Sequence, residues 1–444
     1  MGIMGRTGIS QIPLHGGQCP PWLFAKMKKL AAVMIEVIAY GYGSGEVLRR
    51  LADPFWFQAF GCVLGFDWHS SGLTTVVCGA LKEGLRAQQG ELGLFFAGGK
   101  GNTSRKTPEE IVQAGEKYGL ANDLQALQRT SRLVAKVDSA AVQDGYQLYH
   151  HFFVFDRDGN WSVVQQGMNQ QNRFARRYHW LSDGLESFVN DPHQGICGVK
   201  GENVLNLVSG QNMIVRKASV ELCHAEKPEK ILRVVKAIQE QYKLQAGKKQ
   251  EQPGQSPGID TPGMPGRSGM QGMPALGEQL SWWSALPEPS AKTAQNIKTA
   301  IDTPTENSKS TGEFVLFSMP SYHPIPAAQR LNKTLFRLYE KPPANFEALL
   351  EEQGVGPATL RALAMVAEVT HGVKAVFADP VRYSFAHGGK DGYPFPVNKK
   401  DMEHSIDTLR VALEKGKIGQ REKLDALRKL AGVMKDEQSS GIFK

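Results

Sequence analysis

At 444 residues the chain is long enough to bury more than one core, and its 41% hydrophobic and 22% charged content is that of an ordinary water-facing folded protein. A formal net charge of +8 suits an anionic partner such as nucleic acid without demanding one. Five cysteines (Cys19, Cys62, Cys78, Cys197 and Cys223) form no Cys-x-x-Cys pair and are odd in number. That excludes a closed disulfide framework or a zinc knuckle and fits free thiols in a reducing cytoplasm.

In chain order, "RTGISQIPLHGGQCPPWLF" opens with a rigid turn at His15-Gly16-Gly17 and Pro20-Pro21. His15 there is a loop cap or a ligand. "PWLFAKMKKLAAVMIEVIAY" has helical apolar spacing behind a proline start. It is also the nearest approach to a membrane span, yet it is short of about 18 apolar residues and is broken by Glu36. No signal-peptide layout precedes it. "SSGLTTVVCGALKEGLRAQ" predicts a second helix, with Ser71 as N-cap. "LFFAGGKGNTSRKTPEEI" is not a P-loop, because Gly101 rather than Ser or Thr follows the Gly-Lys pair. Lys100, Arg105 and Lys106 beside the start of the helix "TPEEIVQAGEKYG" still offer a phosphate grip; a plain solvated loop is the alternative.

The pattern then changes to aromatic-rich alternation. "YQLYHHFFVFDRDGNWSVVQQGMN" predicts a β-hairpin with strands near 146–155 and 161–168, turning at Asp156–Asn160. "RFARRYHWLS" interleaves Arg173, Arg176 and Arg177 with Phe174, Tyr178 and Trp180. It reads as a stacking surface for single strands, or as a helix with an aromatic core face and an arginine face. "GENVLNLVS" and the helix "EKILRVVKAIQEQYKL" follow. From 244 to 312, Pro, Gly, Gln and Ser dominate, and such a stretch predicts a disordered linker. Trp282 and Trp283 in it read as a small anchor that docks back on a domain. Beyond it, "QRLNKTLFRLYE", "NFEALLEEQ", "GPATLRALAMVAEVTHG", "KKDMEHSIDTLRVALEKG" and a stretch near 421–433 all have helical spacing. The expected organisation is an α+β domain over 1–243 with a hairpin or small sheet, the linker, and a mainly α domain over 313–444.

The densest chemistry lies in "RTSRLVAKVDSAAVQDGYQLYHHFFVFDRDGNWSVVQQGMN". It holds Lys136, Asp138, Asp144, His150, His151, Asp156, Gln165 and Gln166. Strand alternation places His150 and Asp156 on one face and His151 on the other, so both histidines serve one site only across a bulge. Asp138 and Asp144 are candidate ligands for a divalent Mg or Mn ion that would polarise a phosphate and activate water. Asp138, Asp144, His150, His151 and Asp156 are the candidate catalytic groups, with Lys136, Arg105 and Arg132 to neutralise phosphate. A satisfied polar network that fixes the fold is the alternative, because polar groups inside aromatic strands need partners.

"FEALLEEQGVGPATLRALAMVAEV" resembles a helix-hairpin-helix motif. The resemblance implies that the Gly354–Gly356 turn, Thr359 and the N-terminus of the second helix bind a DNA phosphate without reading base sequence. Many such motifs carry Lys or Arg just after the second glycine, where this chain has Ala358. Glycosylases with this motif carry a catalytic aspartate some way beyond the turn, which makes Asp379 a second candidate. The usual surroundings of that aspartate and a catalytic lysine in the turn are missing. "AHGGKDG" adds Lys390 as a further phosphate contact.

Several stretches taken together ("TGISQIPLHGG", "GGKGNTSRKTPEEI", "AAVQDGYQLYHHFFVFDRDGNWSVVQQGMN", "ARRYHW" and "DPVRYSFAHGGKDGYPFPV") resemble a bacterial and archaeal family known as a domain of unknown function. The resemblance covers most of the chain outside the linker and brings no activity with it. The expectation is therefore a cytoplasmic nucleic-acid-binding protein, with DNA as partner and a metal-dependent nuclease in DNA metabolism or repair as the leading activity. A glycosylase centred on Asp379 and a non-catalytic scaffold are the alternatives.

Overall fold

The structure is a computed structural model. It describes residues 12–14, 19–65, 70–120, 123–201, 203–250, 328–381 and 414, with backbone alone for 241–250 and 328–330. His15, the 251–312 stretch of the expected linker, Lys390 and the helices expected beyond 399 lie outside the described residues, Glu414 apart. Two compact units are formed. One takes in the described residues up to Met213 and those from Val376; the other spans Ile214–Ala375.

The first unit is built on a five-stranded antiparallel sheet of order β1-β3-β4-β5-β6. Its strands are β1 (Leu94–Lys100), β3 (Gln147–Asp156), β4 (Trp161–Asn169), β5 (Phe174–Leu181) and β6 (Gly195–Cys197). A two-stranded ladder pairs β2 (Val142–Gln143) with β7 (Leu205–Asn206). The predicted hairpin is present as β3–β4. Asp156 anchors its turn, accepting from the backbone N–H of Asp158 and Asn160 at 3.0 and 2.9 Å. β5 is a strand, not the helix that its spacing also allowed. Ala175, Tyr178 and Trp180 are all buried, as are Arg176 and Arg177, because an inner strand of a covered sheet has no solvent face.

One sheet face packs on α1 (Pro21–Tyr42), α2 (Ser44–Ala52), α3 (Pro54–Leu64) and α4 (Ser71–Gly84). Phe96, Phe152, Val154, Val164 and Leu181 join Met34, Ile35, Leu48, Trp56 and Phe60 in one apolar cluster. Each such side chain contributes about 1.5–3 kcal/mol on burial. Helix starts are set locally. Asp53 caps α3, accepting from Phe55 and Trp56 N–H at 2.8 and 3.1 Å, with Pro54 in the first turn. Ser70 rather than Ser71 caps α4. The short α5 (Gln89–Leu92) and α6 (Asn102–Arg105) flank β1.

The other face meets α7 (Thr107–Tyr118) and α8 (Leu124–Lys136). Its aromatic ladder runs Phe95–Phe155 at 5.3 Å, Phe153–Trp161 at 5.8 Å and Trp161–Phe188 at 6.0 Å between ring centroids. α8 ends in a π-helical turn, Val137–Ala141, that carries Asp138 inward. Residues 376–381 are stitched into this unit: Asn212 bonds the backbone of Val376 in both directions at 2.8 Å. Phe377 forms a β-bridge with Leu205.

The second unit is helical: α9 (Met213–Ala225), α10 (Pro228–Gln250), α11 (Ala328–Glu340), α12 (Phe346–Glu351) and α13 (Pro357–His371). Asn345 caps α12 through the Ala348 N–H at 2.9 Å. Leu349, Leu350, Val355, Leu360 and Leu363 are its buried apolar stripe. No helix among the described residues is long and apolar enough to cross a membrane.

Candidate functional site

A cleft of about 440 Å³ opens between α6, α8 and β3 of the first unit. Its lining includes Ser131, His151 and Gln165 at the protein side and Arg105, Arg132 and Lys136 around them. No carboxylate among the described residues lines it. Among the described residues none of the three cations has an ion-pair partner. Burial alone lowers the Lys136 pKa from its ordinary value.

α8 and the sheet bring the inner groups together. Ser131 sits mid-helix on the buried side of α8, 2.9 Å from His151 Nε2. His151 Nδ1 lies 2.7 Å from Gln165 Oε1, its cross-strand partner on β4. Gln165 Nε2 donates to Asp138 Oδ2 at 2.5 Å and reaches the Val134 carbonyl at 3.4 Å. Asp138 also accepts from Trp180 Nε1 at 2.9 Å and from His193 Nε2 at 2.5 Å.

The donors and acceptors in this chain have only one consistent assignment. A carboxylate and a peptide carbonyl accept only, so Gln165 must turn its NH₂ to Asp138 and its oxygen to His151. His151 then carries its proton on Nδ1, and Nε2 is left to accept from the Ser131 hydroxyl. Burial pushes the His151 pKa down to about 4, against the Gln165 bond and the Asp138 charge that raise it. The ring is therefore a neutral base at neutral pH, in contact with a hydroxyl.

Asp144 lies in a second buried network. Arg176 donates to Asp144 at 3.0 Å and to Asp379 at 2.7 Å, and all three side chains are at most 1% exposed. Tyr178 OH and the Tyr146 N–H also donate to Asp144, at 2.7 and 3.0 Å. Asp379 takes further backbone N–H donors from Gly201 and Val381. The Tyr146 ring covers the guanidinium at 4.6 Å. Burial drives the Asp144 pKa up against these donors. Two flanking carboxylates hold Arg176 well above the ordinary arginine range.

The other candidates separate. His150 borders the cleft, but its ring stacks on Phe152 at 6.4 Å and it pairs across β4 with Gln166, on the face of α1–α4. The bulge between Leu148 and His150 does not bring the two histidines together. Its ring nitrogens have no hydrogen-bond partner among the described residues, and burial lowers its pKa to about 3. Asp156 is a turn anchor that also accepts from Ser44 at 3.2 Å. Arg177 is buried on the same side as His150, against Gln58, His179 and the Phe57 ring. Lys100 is exposed at the end of β1, over the Tyr149 ring, and does not line the cleft. Thr359 is buried and donates to the Gly354 carbonyl at 3.3 Å, bracing the turn from inside.

A divalent ion at Asp138 and Asp144 does not fit these donor sets. The Asp138 oxygens face three protein donors, and those of Asp144 face Arg176, Tyr178 and a backbone N–H. No group of three or more His, Cys, Asp or Glu side chains is placed to hold a metal among the described residues. Ser131, Gln165, His193 and Trp180 acquire roles that spacing did not assign. The available signal was the general one, that Gln165 in an aromatic strand needs a partner.

No curated protein and no solved structure matches the chain. A family model does match, from residue 8 to residue 397, and so takes in the cleft, both buried networks and the 376–381 segment. The chain therefore belongs to the family described as "Protein of unknown function (DUF763)".

Proposed function

We propose that this protein binds nucleic acid through its phosphate backbone, with the cleft of the first unit as a phosphodiester site. The carrying observation is the set of three cations, Arg105, Arg132 and Lys136, around a cleft whose lining among the described residues has no carboxylate. Cations left without partners at a concave surface attract an anion, and guanidinium forks suit phosphate oxygens. The net charge of +8 has the sign this requires.

The hairpin of the second unit supports the same reading as a helix-hairpin-helix. Gly354 adopts φ +87°, Val355 is buried beneath the turn, and a Cβ at Gly356 would meet nothing within 4 Å. No side chain caps α13 at Gly356, and Pro357 occupies its first turn. Such a helix start, with no Cβ at Gly354 or Gly356 in the turn before it, suits a backbone phosphate.

Fluorescence anisotropy with labelled single- and double-stranded DNA and RNA tests the proposal across a salt series. Binding weakens with salt, and replacing Arg105, Arg132 and Lys136 by Ala lowers the log–log slope on duplex DNA by about 0.9 for each phosphate no longer neutralised. No binding of any of these nucleic acids at low salt would refute it.

A further inference from the structure

We infer that Ser131 is a nucleophile toward phosphodiesters, activated by His151 without a metal ion. The inference deepens the nucleic-acid reading above by naming a reaction at the same cleft. A weak hydroxyl nucleophile needs an adjacent base, an orienting group for that base, and positive charge where the phosphoryl oxygens lie. Ser131 Oγ lies 2.9 Å from His151 Nε2, within the reach required of a nucleophile and its base. Gln165, held by Asp138 on its other side, fixes the tautomer that leaves Nε2 free to accept. Asp138 is itself held by Trp180 and His193, so the orienting group cannot swing away. Gln165 and Asp138 are positioning residues. Arg105, Arg132 and Lys136 supply the charge from the cleft that Ser131 and His151 line.

The reaction balances without redox chemistry or a further co-reactant than water. Ser131 Oγ attacks phosphorus as its proton passes to His151 Nε2, and an Oγ–P bond forms. The ester P–O bond breaks, and the leaving alkoxide takes the proton from His151 and departs as an alcohol. Water then attacks phosphorus, giving its proton to His151. The Oγ–P bond breaks, and Oγ recovers that proton. The net change is phosphodiester plus water to phosphomonoester plus alcohol. The neutral state of His151 at pH 7 is the state the first step needs.

The test uses the full chain in EDTA with bis(4-nitrophenyl) phosphate and, separately, labelled single-stranded DNA. Acid quenching followed by peptide mass spectrometry seeks the phosphodiester adduct on Ser131, a 4-nitrophenylphosphoryl group from the small probe or a DNA phosphoryl end. The expected result is EDTA-resistant turnover, a Ser131 peptide carrying that diester adduct, and a loss of at least about 100-fold in kcat for Ser131→Ala with DNA binding retained. Ser131→Cys, which keeps a nucleophile of similar shape, retains adduct formation and guards against a simple folding defect. His151→Gln loses turnover to a similar degree. Turnover that survives in Ser131→Ala overturns the inference, as does a folded wild-type chain that turns over neither probe in EDTA. DNA binding that fails while the small diester still forms its adduct on Ser131 overturns the nucleic-acid reading alone.

Discussion

Arg176 is a full positive charge on an inner strand with no contact with water, and its cost is met by two carboxylates and an aromatic ring. Breaking such a set exposes the remaining buried charges to an apolar surround, which costs about 3–5 kcal/mol. Arg176→Met should therefore destabilise the protein by that much in urea unfolding, because Asp144 and Asp379 then face each other unneutralised. Asp379→Asn should destabilise it less and leave nucleic-acid affinity unchanged. Affinity that fell with Asp379→Asn would show that this aspartate acts on the ligand instead. The titratable groups around the hairpin were readable from the chain; what each one bonds was not. Asp144 and Asp379 look alike in sequence, as acids in short polar stretches. Their shared partner Arg176 lies 203 residues before Asp379, a separation that local spacing does not encode.

At the scale of elements, the β3–β4 hairpin and most helices of the described residues follow from period, caps and turn residues. β1 does not. "LFFAGGK" carries a Gly-Gly pair that reads as a loop, yet it is a full edge strand paired with β3 from Leu94–Asp156 to Lys100–His150. Gly98 has φ +93°, and a Cβ there would lie 2.2 Å from the His151 carbonyl oxygen. The glycine lets two backbones close beside the Ser131–His151 pair. Gly98→Ala should destabilise the protein by more than about 1 kcal/mol, since alanine resists positive φ and the strand must also shift. Thermal melts of the variant check this; an unchanged melting temperature would mean that β1 is free to retreat. The π-helical turn after α8 is likewise invisible to a 3.6-residue pattern, because an extra residue in one turn rotates Asp138 inward without altering the apolar stripe before it.

At the scale of the whole molecule, three buried histidines among the described residues stay neutral on folding. Burial lowers His150 to about 3 and His151 to about 4, and it holds His179 well below the ordinary value, with the Arg177 charge beside it adding to the shift. The unfolded chain protonates the same rings near pH 6.5, so it binds protons that the native state refuses. Their contribution is complete above about pH 6.5 and falls as pH drops toward 4, by about 1.4 kcal/mol per ring for each pH unit. Urea midpoints should match at pH 7 and 8 and decline steeply from pH 6 to 4.5. A flat profile over that span would mean that the rings take up protons in place.

Composition, apolar period and turn chemistry were enough to set α1, α4, α7, α10 and the helices of residues 328–371, the hairpin and its turn, and the richness of one stretch in acids and histidines, but not α8, which carries Ser131. These are local properties, decided by a residue and its neighbours within about one or two turns. Only the tertiary structure decided which of those groups meet. Folding the sheet against α8 puts Ser131 beside His151 and Asp138 beside Gln165. It also closes Asp144 onto Arg176 and leaves His150 on the opposite face. The physical reason is that a hydrogen bond depends on distance and direction in space, and a strand register or one π turn changes both without changing the sequence pattern.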